Sequence, residues 1–89
     1  MKIFFEKYKD RYRPIYDEEE YGFTSFPQFS SDKTTIYKLN DTIEDLFASV
    51  KIDIRLRSLT DRLFTAYYTF IDPADEAAFL LWSSDGVEI

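Results

Sequence analysis

The stretch RLFTAYYTFIDPADEAAFLLW, residues 62–82, decides how the rest of the chain is read. Phe64 to Ile71 are nearly all aromatic or β-branched, which suits a pleated, largely buried strand. Alternation puts Phe64, Ala66, Tyr68 and Phe70 on one face and Thr65, Tyr67, Thr69 and Ile71 on the other. Asp72 has the chemistry of an N-cap. Pro73 stands at the first helical position, where its missing N–H costs nothing. Asp75 and Glu76 fall in the first turn, where the helix dipole favours negative charge. Ala77 to Trp82 carry the helix to Ser83. Asp85-Gly86 marks a turn, and Val87-Glu88-Ile89 reads as a short final strand. A competing reading makes 77–82 a strand in a hairpin closed at Ser84-Asp85-Gly86. The Asp-Pro start and the paired alanines favour the helix.

Upstream, residues 51–57, KIDIRLR, alternate cleanly. Ile52, Ile54 and Leu56 face the core, and Lys51, Asp53, Arg55 and Arg57 face away. Ser58 to Asp61 turn the chain into the central strand as a hairpin. A helix from Ser58 through Leu59, Leu63 and Tyr67 ranks second, because the following run is so rich in β formers. Residues 34–39, TTIYKL, read as a strand. Asn40 or Asp41 then caps a helix: Asp41 with Glu44 resembles a capping box, and Ile43, Leu46, Phe47 and Val50 form an apolar stripe. The order is β-α-β-β-α with a terminal β. That predicts an α+β, ferredoxin-like sandwich, with two helices on one face of an antiparallel sheet.

Residues 1–33 read as an N-terminal arm, or an extra strand, packed on a compact domain of residues 34–89. In KYKDRYR, Lys7, Lys9, Arg11 and Arg13 share one face of an extended chain, and Tyr8, Asp10 and Tyr12 share the other. A helix would instead stack Phe4, Tyr8, Tyr12 and Tyr16. Pro14 interrupts either pattern. Basic residues among tyrosines also suit a nucleic-acid strip. The plainer expectation is pairing with the acidic run Asp17 to Glu20, or a solvated face. Phe23, Phe26 and Phe29 would anchor the arm by burial.

Composition narrows the function. An 89-residue chain is one domain at most, and it buries roughly 60–65% of its unfolded surface. Its aromatic content, 19% of residues, supplies much of the core area. A net charge of −6 argues against general binding to phosphate backbones or anionic membranes and for a basic partner. The absence of cysteine removes disulfides and thiolate metal sites. The absence of histidine removes the commonest general base, the usual zinc ligand and the switch near neutral pH. No leader or membrane span is visible, so the expected location is the cytoplasm.

Residues 34–89 resemble a shortened RNA-recognition-motif domain. The resemblance rests on Ile36-Tyr37-Lys38-Leu39-Asn40 as the first-strand signature. LFTAYYTF stands as the third-strand signature, leading into Ile71-Asp72-Pro73-Ala74-Asp75-Glu76-Ala77. It implies stacking aromatics at Tyr37 and Tyr67, sharing an open sheet face with Lys51, Arg55 and Arg57. The chain departs from the pattern in three places: Leu63-Phe64 replace a basic-glycine start, Thr65 replaces an aromatic, and Lys38 replaces an aliphatic residue.

Two constellations follow. With the first and third strands taken as parallel central neighbours, both helices start at one end of the sheet. That would gather Asp41, Glu44, Asp45, Asp72, Asp75 and Glu76 into an acidic edge fit for a basic groove. Singly, each acid is an ordinary cap or dipole partner worth about 0.3–1 kcal/mol. The second is the sheet face of Tyr37, Lys51, Arg55, Arg57 and Tyr67. No catalytic constellation, phosphate loop, metal site or cofactor motif emerges. The expected function is a non-catalytic protein-binding module, such as a phage-type inhibitor or decoy that occupies the basic surface of a nucleic-acid-handling partner. The alternatives are single-stranded RNA binding on the sheet face, and a homodimer or larger homo-oligomer that buries aromatic surface.

Overall fold

A computed structural model describes residues 2–16, 29–58 and 63–89. Its elements, in chain order, are β1 (Lys2–Tyr8), β2 (Arg11–Tyr16), α1 (Lys33–Leu46), β3 (Val50–Ser58), β4 (Leu63–Phe70), α2 (Pro73–Trp82) and β5 (Val87–Glu88). Among the described residues the architecture is α+β, with one five-stranded antiparallel sheet, ordered β3-β4-β2-β1-β5, and two helices. No helix among these residues is long and apolar enough to cross a membrane.

β4 and α2 form where the local chemistry puts them. Ala66 and Tyr68 are buried on one side of β4, with Phe64 and Phe70 packed beside them. Asp72 caps α2 by accepting from the Ala74 amide at 2.9 Å, and Pro73 opens the helix. Phe79, fully buried, joins α2 to the sheet. Its ring lies 4.8 Å from Phe70, 4.9 Å from Phe5, 5.4 Å from Tyr12 and 5.8 Å from Phe47, centroid to centroid. Such pairs add roughly 0.5–1.5 kcal/mol each beyond burial. Gly86 closes the turn into β5 at φ +86°, a region that L side chains rarely adopt.

Residues 34–39, expected as a strand, instead form the first turns of α1. Asp32 caps the helix by accepting from the Thr35 amide at 2.7 Å, well before the cap expected at Asn40 or Asp41. Ile36, Leu39 and Ile43 then fall on one face and are all buried. That spacing outweighs the strand preference of Thr34, Thr35 and Ile36, because only the helix buries all three apolar side chains. Asn40 is not a cap. It is buried in α1 and accepts from the Tyr68 hydroxyl at 2.6 Å. Leu46, expected in the apolar stripe, is half exposed, and Val50 opens β3.

Residues 2–16 enter the sheet as two strands, in line with the extra-strand alternative for this region. Tyr8 pairs with Arg11 across a tight turn at Lys9 and Asp10, so β1 and β2 are a hairpin. Lys9 takes φ +60° to make that turn. Neither the single strand nor the helix expected over 7–13 forms, because the turn reverses the chain. β2 becomes the central strand, with Tyr12, Pro14 and Tyr16 buried toward the helices. Phe23, Phe26, the acidic run Asp17 to Glu20 and most of the expected turn at 58–61 lie outside the described residues.

The parallel pairing expected of the two strands that lead into helices is also corrected. β2 and β4 are antiparallel neighbours, with Tyr12 opposite Tyr68. α1 begins beside Phe64, which bridges Ser31, whereas α2 begins beyond Phe70. The helix starts therefore lie at opposite ends of β4. A hairpin between β3 and β4 forces this, since it reverses the chain between the two helices.

Candidate functional site

Among the described residues, one side of the sheet carries no helix. The helical core residues Ile36, Leu39, Ile43 and Phe79, with Phe47 just beyond α1, pack with Tyr12, Ala66 and Tyr68 on the other side. The open side carries Glu6 and Tyr8 from β1, Arg11 and Arg13 from β2, Thr65 and Tyr67 from β4, and Lys51, Asp53 and Arg55 from β3. The two-residue turn at Lys9-Asp10 sets Tyr8 opposite Arg11 and so brings it onto this face with Arg11 and Arg13. An unbroken strand would have set them on opposite faces.

The cations sit over the rings. The Arg11 guanidinium carbon is 4.6 Å from the Tyr67 ring centre. That of Arg13 is 4.2 Å from Tyr8 and 3.9 Å from Phe29. The Lys9 ammonium is 5.4 Å from Tyr8. Contacts of this kind contribute roughly 0.5–1 kcal/mol at exposed sites. Tyr8 and Tyr67 stand 6.2 Å apart, so the two stacks form one platform. Acids tie the platform down without neutralising it. Glu6 accepts from Arg13 at 2.5 Å, and Asp53 accepts from Arg55 at 2.8 Å and lies 3.5 Å from Arg11. The hydrogen bond and charge of Asp53 raise the Arg55 pKa above its ordinary value, so that cation is secure.

A cavity of about 350 Å³ opens here, lined by Tyr8, Lys9, Arg11, Arg55, Leu56 and Tyr67. Two polar atoms on this side, Arg11 Nε and Thr65 Oγ1, are buried and have no hydrogen-bond partner among the described residues. The cavity thus offers aromatic surface and fixed positive charge.

Of the sheet-face residues expected from sequence, Lys51, Arg55 and Tyr67 do share this face. Tyr37 does not: it is exposed on α1, with the Lys33 ammonium 5.6 Å from its ring. The Arg57 side chain lies outside the described part. Sequence reasoning placed Tyr8, Lys9, Arg11 and Arg13 elsewhere. The signal was the basic-aromatic alternation itself, which needed only a turn at Lys9-Asp10 to converge.

The acidic constellation has a different geometry from the one expected. Asp41, Glu44 and Asp45 are exposed in the second half of α1, not at its start. The end of α1 and the start of α2 meet through Ser49. Its amide donates to Asp75 Oδ2 at 3.0 Å, and its hydroxyl accepts from the Asp72 amide at 3.1 Å. Asp45, Asp72, Asp75 and Glu76 therefore gather at one end of the molecule, through the tail of α1. Asp72 is a cap. Asp75 is held below the usual carboxylate range, first by the Ser49 side chain and then by the Ser49 backbone. Glu76 accepts from the Tyr12 hydroxyl at 2.7 Å. Burial, then that bond and the Glu76 charge, push Tyr12 up to about 12. Among the described residues no group of three or more acids is arranged to hold a metal ion.

The chain matches no family model, no curated protein and no solved structure.

Proposed function

We propose that this protein is a non-catalytic binding module whose open sheet face takes single-stranded RNA. The observation that carries the reading is the platform of Tyr8 and Tyr67, each with an arginine over its ring, beside a cavity lined by Tyr8, Lys9, Arg11, Arg55 and Tyr67. Unpaired bases stack on tyrosines and on guanidinium planes, and phosphates seek the remaining cations. Net charge does not oppose this. Among the described residues, Asp41, Glu44, Asp45, Asp75 and Glu76 belong to the helices, whereas on the open face Arg11, Arg13, Lys51 and Arg55 outweigh Glu6 and Asp53. On the same reading the fold is a ferredoxin-like layout enlarged by β1. The run β2-α1-β3-β4-α2 and the neighbour order β3-β4-β2 support it, with β1 standing between β2 and β5.

The test is fluorescence anisotropy with short single-stranded RNA oligonucleotides at low salt, the most permissive condition. Tyr8→Ala with Tyr67→Ala should abolish binding, and Tyr37→Ala should leave it unchanged. No binding by the wild-type chain at low salt would sink the reading.

One observation favours a second reading, a basic protein docked on the helical side. Glu44 and Asp45 occupy the last turn of α1, which holds no basic residue. Negative charge there opposes the helix dipole, by about 0.3–1 kcal/mol per group. An external cation would relieve it. Charge reversal at Asp41, Glu44 and Asp45, scored by capture of a basic partner, tests this docking separately from RNA binding.

A further inference from the structure

β3 ends the sheet. It pairs with β4 along one side, and no described strand covers the other. At nine residues it is the longest strand among those described. An uncovered edge of this length presents a row of backbone donors and acceptors to any extended chain. Its side chains are also incompletely buried. Ile54 and Leu56 face the helical side, as their spacing predicts, yet are 37% and 45% exposed. The helices pack over the centre of the sheet and leave this end of β3 bare.

We infer that β3 is a self-pairing edge, and that two copies of the chain join β3 to β3, antiparallel and centred on Ile54. Ile54 is the midpoint of Val50–Ser58, so this register overlaps the full strand with itself. It sets Ile54 against Ile54, and Ile52 against Leu56 twice. On the other face it sets Asp53 against Arg55 twice. Asp53 and Arg55 already meet within one chain at 2.8 Å, so pairing joins four charges into one network.

Other registers are worse. A slip of one residue puts the apolar face of one copy against the charged face of the other. Centring on Asp53 places Asp53 against itself and Lys51 against Arg55. Centring on Ile52 carries Leu56 beyond the paired ladder. The pairing of β3 with β4 shifts register between Leu56 and Ser58, so the regular part of the self-paired ladder is Ile52 to Leu56. Opposed residues of an antiparallel pair point to the same side. The two open faces therefore become one continuous surface, with a Tyr8–Tyr67 platform on each half. The inference stands independently of what that surface binds.

The experiment is light scattering on the full chain over a concentration series, with the fold of each variant checked by circular dichroism. The wild-type chain should reach dimer mass. Ile54→Lys puts two ammonium groups at the two-fold axis and should weaken association by about tenfold or more. Asp53→Arg should weaken it as well, and adding Arg55→Asp should restore it, so the charge pair remains a test even if Ile54→Lys does not fold. The chain lacks cysteine, which makes single-cysteine cross-linking clean. Ile54→Cys should form a disulfide-linked dimer, since opposed Cα atoms at about 4.5–5.5 Å are within bonding range. Leu81→Cys, on the exposed side of α2, should not. A monomer at every concentration, a dimer indifferent to Ile54→Lys and to Asp53→Arg, or equal cross-linking through Leu81→Cys would each overturn the inference.

Discussion

Tyr67 and Tyr68 are consecutive residues on one strand, and they do opposite things. Tyr68 is fully buried under the helices, and its hydroxyl donates to Asn40 at 2.6 Å. Burial, with the neighbouring charge of Tyr16, raises its pKa well above the ordinary phenol value. Tyr67 faces the open side, lies under Arg11 and lines the cavity. The comparison teaches that residue type does not separate core from site in this chain. Strand alternation and the one-sided placement of the helices do.

The largest effect should come from the core side. Phe79→Ala removes the ring at the centre of the aromatic cluster and should cost about 3–5 kcal/mol, read as a fall in Tm. Tyr67→Ala should cost less than about 1 kcal/mol of stability yet lose about 1–3 kcal/mol of RNA affinity. The contrast breaks if Tyr67→Ala unfolds the protein, or if binding survives it.

The pH dependence sharpens the contrast at both extremes. Tyr12, at the core, is raised from 10.0 to about 12. Folding favours its neutral form, so that stability is complete below pH 10 and fades as pH rises from 10 to 12. Asp75 is shifted the other way, below 3.8. Its contribution is present above that value and is lost as pH falls through the lowered folded value. Urea midpoints across pH should show both limbs. Glu76→Gln should flatten the alkaline limb in part, because burial, the larger cause of the Tyr12 shift, remains. An unchanged alkaline limb would show that the Glu76 bond to Tyr12 has no energetic weight.

The smallest effect belongs to the turn that builds the open face. Lys9 holds φ +60° without being glycine. Lys9→Gly should be neutral or stabilising by up to about 1 kcal/mol, while removing one cation from the cavity and weakening RNA binding. A clear loss of stability by urea titration would mean that the Lys9 side chain, not its backbone, holds the hairpin.

Local chemistry made some elements legible. Asp72-Pro73 marks a helix start wherever it stands before good helix formers, and the alternation of 51–57 and 64–70 specifies strands without help from elsewhere. α1 was harder. Thr34, Thr35 and Ile36 speak for a strand, and the Asp41–Glu44 spacing imitates a cap. The true signal was Asp32 with Ile36, Leu39 and Ile43, a pattern whose advantage exists only when a sheet lies beneath it. The open face was half legible. Lys51, Arg55 and Tyr67 could be read from alternation, but Tyr8, Arg11 and Arg13 needed a turn with no glycine or proline to announce it.

The chain by itself determined its class and its palette. It specified an α+β protein built on aromatic rings, without thiol or imidazole, with β4 running into a capped α2. Those features follow from interactions among residues a few positions apart. Tertiary structure alone decided which tyrosines are core and which are surface, that β2 lies at the centre, and that the helix starts lie at opposite ends of β4. Each depends on a pairing between distant segments, where burial of a whole face outweighs the preference of any short run.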